Sequence, residues 1–142
     1  MSNLNHEDTK AQSYFAAIPN DQEEIGKQVV DCAFQVHKTL GAGLLENIYE
    51  AAFIWELENR NISFETQKEI PIQYKSHNLD LKYRLDLLIG NKIIVELKCV
   101  ERLSPIHDAQ ILTYLKLMDL RLGYLINFNV PMIKNGIKRK VL

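Results

Sequence analysis

The chain uses two hydrophobic periods in turn, and the change from one to the other marks its elements. From Asp21, the apolar residues Ile25, Val29, Cys32, Ala33, Val36 and Leu40 recur in steps of three and four, which keeps them on one stripe of a helix. Gly41-Ala42-Gly43 stops that run as a helix terminator does. A second helix is expected over about Leu44 to Asn59, with an apolar face of Leu45, Ile48, Tyr49, Ala52 and Phe53. At about 3.6 residues per turn, Glu46 falls beside Tyr49, Phe53 and Leu57, so its carboxylate should be at least partly buried at the edge of the face.

The period then drops to two. A strand is expected over roughly Ile62 to Tyr74, with Pro71 marking a bulge or an edge. Leu79, Leu81, Tyr83, Leu85, Leu87 and Ile89 alternate with Asp80, Lys82, Arg84, Asp86 and Leu88, the pattern of a strand with one buried face. Gly90-Asn91 turns the chain into IIVELKCV, residues 93–100. Ser104-Pro105 reads as an N-cap with proline at the first helical position, opening a helix to about Met118. GYLINFNV predicts a further strand, and the end from Gly136 to Leu142 a short basic edge strand. The order ααβββαβ(β) predicts an α/β domain around a mixed sheet over 21–142. Residues 1–20 carry no sustained periodicity and are expected to form a mobile arm or a partner-binding segment.

IIVELKCV poses a physical problem. Six of its eight residues are apolar, yet Glu96 and Lys98 point to one strand face while Val95, Leu97 and Cys99 point to the other. A buried carboxylate and ammonium each need compensation. They are a structural ion pair, the wetted face of an edge strand, or part of a site.

Composition narrows the setting. A chain of 142 residues can bury roughly two thirds of the surface its unfolded form exposes, so it needs no disulfide staples. Cys32 and Cys99 stand in apolar contexts without metal-ligand spacing and are expected to be reduced, as in a cytoplasmic protein. No apolar run approaches bilayer length and the polar start lacks a signal-peptide core, so no membrane association is expected. The net charge of −1 conceals an asymmetry: residues 1–65 hold 11 Asp/Glu against 4 Lys/Arg, and residues 66–142 hold 7 against 13. The basic half suits a polyanion or, more commonly, a solvated mixed-charge surface, and the overall balance argues against an avid nonspecific nucleic-acid binder.

The turn at Gly90 decides what the charged residues can do together. A two-residue loop would set Asp86 and Glu96 on opposite faces; a three-residue loop, Gly90 to Lys92, pairs 86 with 96 and 84 with 98 and lines the charges up. Two adjacent carboxylates repel unless a cation or a proton lies between them. Mg²⁺ suits such a pair, because it takes oxygen from one or two carboxylates and keeps its other positions for water and phosphate.

These residues carry a resemblance. Asp86 followed by Glu96-Leu97-Lys98 resembles the PD-(D/E)XK nuclease superfamily, with Leu85 standing where the family's name has proline. Gly43-Leu44-Leu45-Glu46-Asn47-Ile48-Tyr49 is similar to the signature of its GxxExxY branch, and Gln110-Ile111-Leu112-Thr113-Tyr114 resembles the Gln-x-x-x-Tyr helix of exonuclease-like members. The likeness runs from about residue 22 to the C-terminus. It implies a restriction-endonuclease-like core and hydrolysis of phosphodiester bonds in DNA or RNA with Mg²⁺ or Mn²⁺. It further implies that Asp86, Glu96 and the backbone carbonyl of Leu97 hold the metal, with Glu46 as a further ligand or acting through water. Lys98 would orient and deprotonate the attacking water or stabilise the transition state. Gln110 and Tyr114, one helical turn apart, would orient Lys98, the metal's waters or the scissile phosphate.

His37, in the last turn of the first helix, is explained by the helix dipole alone, and His107 stands in the first turn of its own helix. The rival to a nuclease is a catalytically idle module of the same fold that binds nucleic acid or a protein partner. The chain is a minimal core, compatible with a homodimer and with a partner bound through the N-terminal arm. No P-loop, HExxH, GxSxG or paired CxxC offers another chemistry.

Overall fold

A computed structural model describes residues 16–142. The arm expected over 1–20 lies for its greater part outside the described residues. At its described end, Ile18 joins the core and the Arg121 guanidinium donates to the carbonyls of Ala16 and Ala17.

The elements follow the expected order. Helix α1 spans Asn20–Leu40 and α2 Glu46–Asn59. Strands β1 (Phe64–Tyr74), β2 (His77–Ile89) and β3 (Ile93–Lys98) come next, then α3 (Pro105–Met118), β4 (Leu122–Asn127), a single 3₁₀ turn (Ile133–Asn135) and β5 (Ile137–Val141). The strands lie in sequence order in one mixed sheet; only β3 and β4 run parallel, because α3 carries the chain back between them. Helices α1 and α2 cover one sheet face and α3 the other. Central strands are therefore buried on both sides: Ile93, Val95 and Leu97 face α1 and α2, while Ile94 and Leu125 face α3.

The turn between β2 and β3 has the odd length that aligns the charges. Leu87 pairs with Val95 and Ile89 with Ile93, leaving Gly90 to Lys92 as the connection. Gly90 and Asn91 adopt φ 58° and 57°, and Lys92 N–H donates to Ile89 O at 3.1 Å. Two consecutive left-handed residues match the twist of a hairpin, which glycine and asparagine tolerate best; Lys92 is the extra residue.

Four expectations are corrected. The alternation at Leu79 and Leu81 does not bury a face: these side chains are 44% and 61% exposed, because the outer β1–β2 hairpin projects beyond the helices. Helix α2 begins at Glu46 rather than Leu44, and Leu45 and Ile48 of its expected apolar face are exposed; Tyr49, Phe53 and Leu57 are its buried stripe. Leu85, in step with Leu87, nevertheless packs on the α3 side, since the strongly twisted hairpin turns its face and the pleat of β1 is interrupted at Gln67, where φ is 50°. The strand through GYLINFNV stops at Asn127, whose side chain draws the following residues into a turn. Pro71, read as a bulge or an edge, is at both: β1 is an edge strand and its register shifts between Pro71 and Gln73.

Candidate active site

Strand β2 separates from β3 immediately beyond the Leu87–Val95 pair, and side chains take over the backbone hydrogen bonds at this fork. Asp86 Oδ2 accepts from Leu97 N–H at 2.8 Å, while Glu96 Oε2 lies 3.4 Å from Asp86 N. The two carboxyls therefore meet at the fork through the N–H groups of Asp86 and Leu97, with Glu96 on the strand face it shares with Ile94. On the other flank, Gln67, the position of β1 opposite Asp86, is the left-handed residue that breaks the pleat. Its amide donates to Glu50 Oε1 at 3.1 Å, tying the broken edge to α2.

Glu96 is the most constrained group. It is 5% exposed, and its Oε1 is buried with no hydrogen-bond partner. Burial, then a hydrogen bond and repulsion from Asp86, pushes its carboxyl up to about 9. Lys98, half-buried two residues on, offsets this only in part, and among the described residues no carboxylate lies within ion-pair distance of its ammonium. The structural ion pair considered for Glu96 and Lys98 is therefore not formed.

Glu46 approaches from α2 more loosely. It is exposed at the first turn of the helix, yet partial burial and then the negative charge of Asp86 push its carboxyl above the ordinary glutamate value, while Lys98 pulls it down. The turn before it is fixed by Tyr49, whose hydroxyl donates to Gly41 O at 2.5 Å and accepts from Leu44 N–H at 3.2 Å. The Tyr49 ring stacks on Phe128, centroids 4.6 Å apart and planes within 2°. Phe128 N–H in turn holds Lys98 O at 3.0 Å. The tyrosine of the Gly43-to-Tyr49 motif thus links the loop that presents Glu46 to the strand end that presents Lys98.

From α3, Tyr114 meets Tyr83 edge to face, with centroids 5.2 Å apart and planes at 60°. Burial raises the Tyr114 hydroxyl, and the charges of Glu96, Tyr83 and Asp86 add to it, so the ring borders the carboxylates. Gln110, one turn earlier and exposed, lines a groove with both tyrosines. Neither histidine is recruited. His37 Nε2 donates to Val130 O at 2.8 Å, and His107 Nδ1 accepts from Ser104 N–H at 3.1 Å in a capping box at the start of α3.

One residue escaped the sequence reading. Asn127 is buried opposite Lys98; its amide donates to Val100 O at 2.9 Å and accepts from Val100 N–H and Asn129 N–H, both at 3.1 Å. It clamps the chain leaving β3 just beyond Lys98. A buried asparagine at the end of an apolar strand was the only available signal.

The donor set is oxygen alone. Among the described residues no group of three or more His, Cys, Asp or Glu side chains converges tightly enough to hold an ion by itself. Two carboxyls with one oxygen unpartnered suffice for a hard divalent cation that keeps most of its water. The sequence matches the PD-(D/E)XK nuclease superfamily over residues 23–140, and the chain belongs to it. Its five-stranded mixed sheet with three helices is consistent with the restriction-endonuclease-like fold of that family. No curated protein and no solved structure matches the chain. No described helix is long and apolar enough to cross a membrane.

Proposed function

We propose that the domain is a nuclease of the GxxExxY branch that hydrolyses phosphodiester bonds of DNA or RNA with Mg²⁺ or Mn²⁺. The observation that carries this reading is the buried, unpartnered Glu96 Oε1 beside Asp86 at the fork of the sheet: a carboxyl so placed is costly unless a cation or proton shares it. Asp86 and Glu96 are the residues to hold the ion, with the Leu97 carbonyl as a third donor and Glu46 reaching it directly or through water. The ion would supply Lewis-acid chemistry and a more acidic water. Lys98, with no ion pair among the described residues, is available to take a proton from the attacking water or to neutralise charge on the phosphate as it is attacked. Gln110 and Tyr114 would position the phosphate or Lys98. The reduced, unpaired Cys32 and Cys99 support a cytoplasmic setting.

The looser placement of Glu46 favours a second reading, the same centre binding nucleic acid or a protein partner without turnover. Cleavage assays on single- and double-stranded DNA and RNA, paired with calorimetric Mg²⁺ titration, separate the two. In the nuclease, Asp86→Ala and Glu96→Ala lose Mg²⁺ affinity. Lys98→Ala keeps or slightly raises that affinity while cleavage falls about 100-fold or more. Equal rates for Lys98→Ala and wild type would overturn the proposed mechanism, and no metal-dependent cleavage by wild type on any substrate would favour the idle module.

A further inference from the structure

An open groove of about 240 Å³ runs along α3, lined by Tyr83, Ile106, Ala109, Gln110, Thr113 and Tyr114. Its walls are largely carbon. Ile106 is 61% exposed on one rim, and Thr113 turns its hydroxyl back onto Ala109 O at 2.9 Å, leaving the methyl as the outward group. The two tyrosines form the inner end, and Tyr114 also borders Glu96 and Asp86, so the groove is continuous with the carboxylate centre. Gln110, whose amide makes no hydrogen bond among the described residues, offers a donor and an acceptor on one planar group at the groove, beside the two tyrosine hydroxyls.

We infer that this groove is a stacking subsite for one unpaired nucleobase next to the scissile phosphate, making the substrate single-stranded at the point of cleavage. The inference rests on the nuclease reading for the word scissile, and on the groove alone for the base. An apolar slot between an aromatic pair and a helix accepts the flat face of any base, whereas a base held in a duplex has both faces covered by its neighbours. The Gln110 amide would meet the edge of the stacked base. Its donor and acceptor can match more than one base, so it would add a modest preference.

The full chain is titrated, with Ca²⁺ in place of Mg²⁺ to prevent turnover, into single-stranded oligodeoxynucleotide and oligoribonucleotide probes carrying one 2-aminopurine, and into matching duplexes. Stacking quenches the fluorophore. Quenching is expected with a single-stranded probe, and the duplexes should bind at least about ten-fold more weakly. Tyr83→Phe should retain the quenching. Tyr83→Leu and Ala109→Leu should abolish it, and Ala109→Leu, which fills the groove from an exposed helix position, leaves the tyrosine packing intact. Quenching unchanged in Ala109→Leu, or duplex bound as tightly as single strand, overturns the inference. Wild-type quenching without cleavage in Mg²⁺ sinks the nuclease reading and leaves the base subsite standing. Cleavage without quenching sinks the subsite alone.

Discussion

The two halves of β2 share one pattern of alternation and have opposite fates. From His77 to Lys82 every residue is exposed, Leu79 and Leu81 included; from Leu85 to Ile89 four of five are buried, on both faces of the sheet. The difference is not in the strand but in what lies above and below it. The inner half is covered by α1 and α2 on one side and α3 on the other, whereas the outer half, among the described residues, pairs with β1 alone. Asp86 sits inside the covered half, at the point where β2 leaves β3. Carboxylates can be held close together there because surrounding apolar residues restrict water and neighbouring backbone N–H groups orient the oxygens.

The comparison is broken most directly by truncating one leucine in each half. Leu85→Ala, fully buried, should cost about 2–5 kcal/mol in denaturant unfolding; a cost below about 1 kcal/mol would mean the inner half is not packed as described. A pH series sharpens it next. With no divalent cation present, the folded chain holds the Glu96 proton up to about 9 while the unfolded chain releases it near 4.5. The folded state therefore binds more protons between those values. The Glu96 contribution to stability is full below about 4.5 and is lost as pH rises through about 9, with a slope of at most about 1.4 kcal/mol per pH unit. Glu96→Gln should flatten that slope, and an unchanged slope would move the titrating group elsewhere. The smallest effect belongs to the outer half: Leu81→Ser should change stability by less than about 0.5 kcal/mol. A larger loss would reveal a cover over the projecting hairpin.

Much of this was legible in the sequence, because it depended on local rules. The helix stripe of Val29, Cys32 and Val36, the proline-started α3 and the odd turn at Gly90 follow from spacing and from residues with restricted or unusual backbone freedom. The turn in turn led to the expectation that Asp86 and Glu96 share a face; the structure links the two carboxyls through the N–H groups of Asp86 and Leu97. What remained hidden depended on packing between distant segments. Nothing within LDLKYRLDLLI says where the helices end, so the exposure of Leu79 and Leu81 could not be read from it. The turning of Leu85 toward α3 depends on the twist of a two-stranded ribbon and on a left-handed Gln67, a residue with no special preference for that conformation. Glu46 was expected further inside its helix, but the boundary fell two residues later and left it at the more open first turn. Asn127 could not be anticipated because its partner, Val100, is distant in sequence.

Strand β1 forms one end of the sheet and, among the described residues, has no neighbour on its far side. A free edge of eleven residues invites another chain to pair with it and, by repetition, to build a polymer. Pro71 withholds one N–H, the register shifts immediately after it, and Gln67 turns left-handed midway along the strand. Only short runs of regular backbone remain between these interruptions, each too brief to template a long ladder. The irregularity opposite Asp86 thus also makes β1 a poor template for a strand of another molecule.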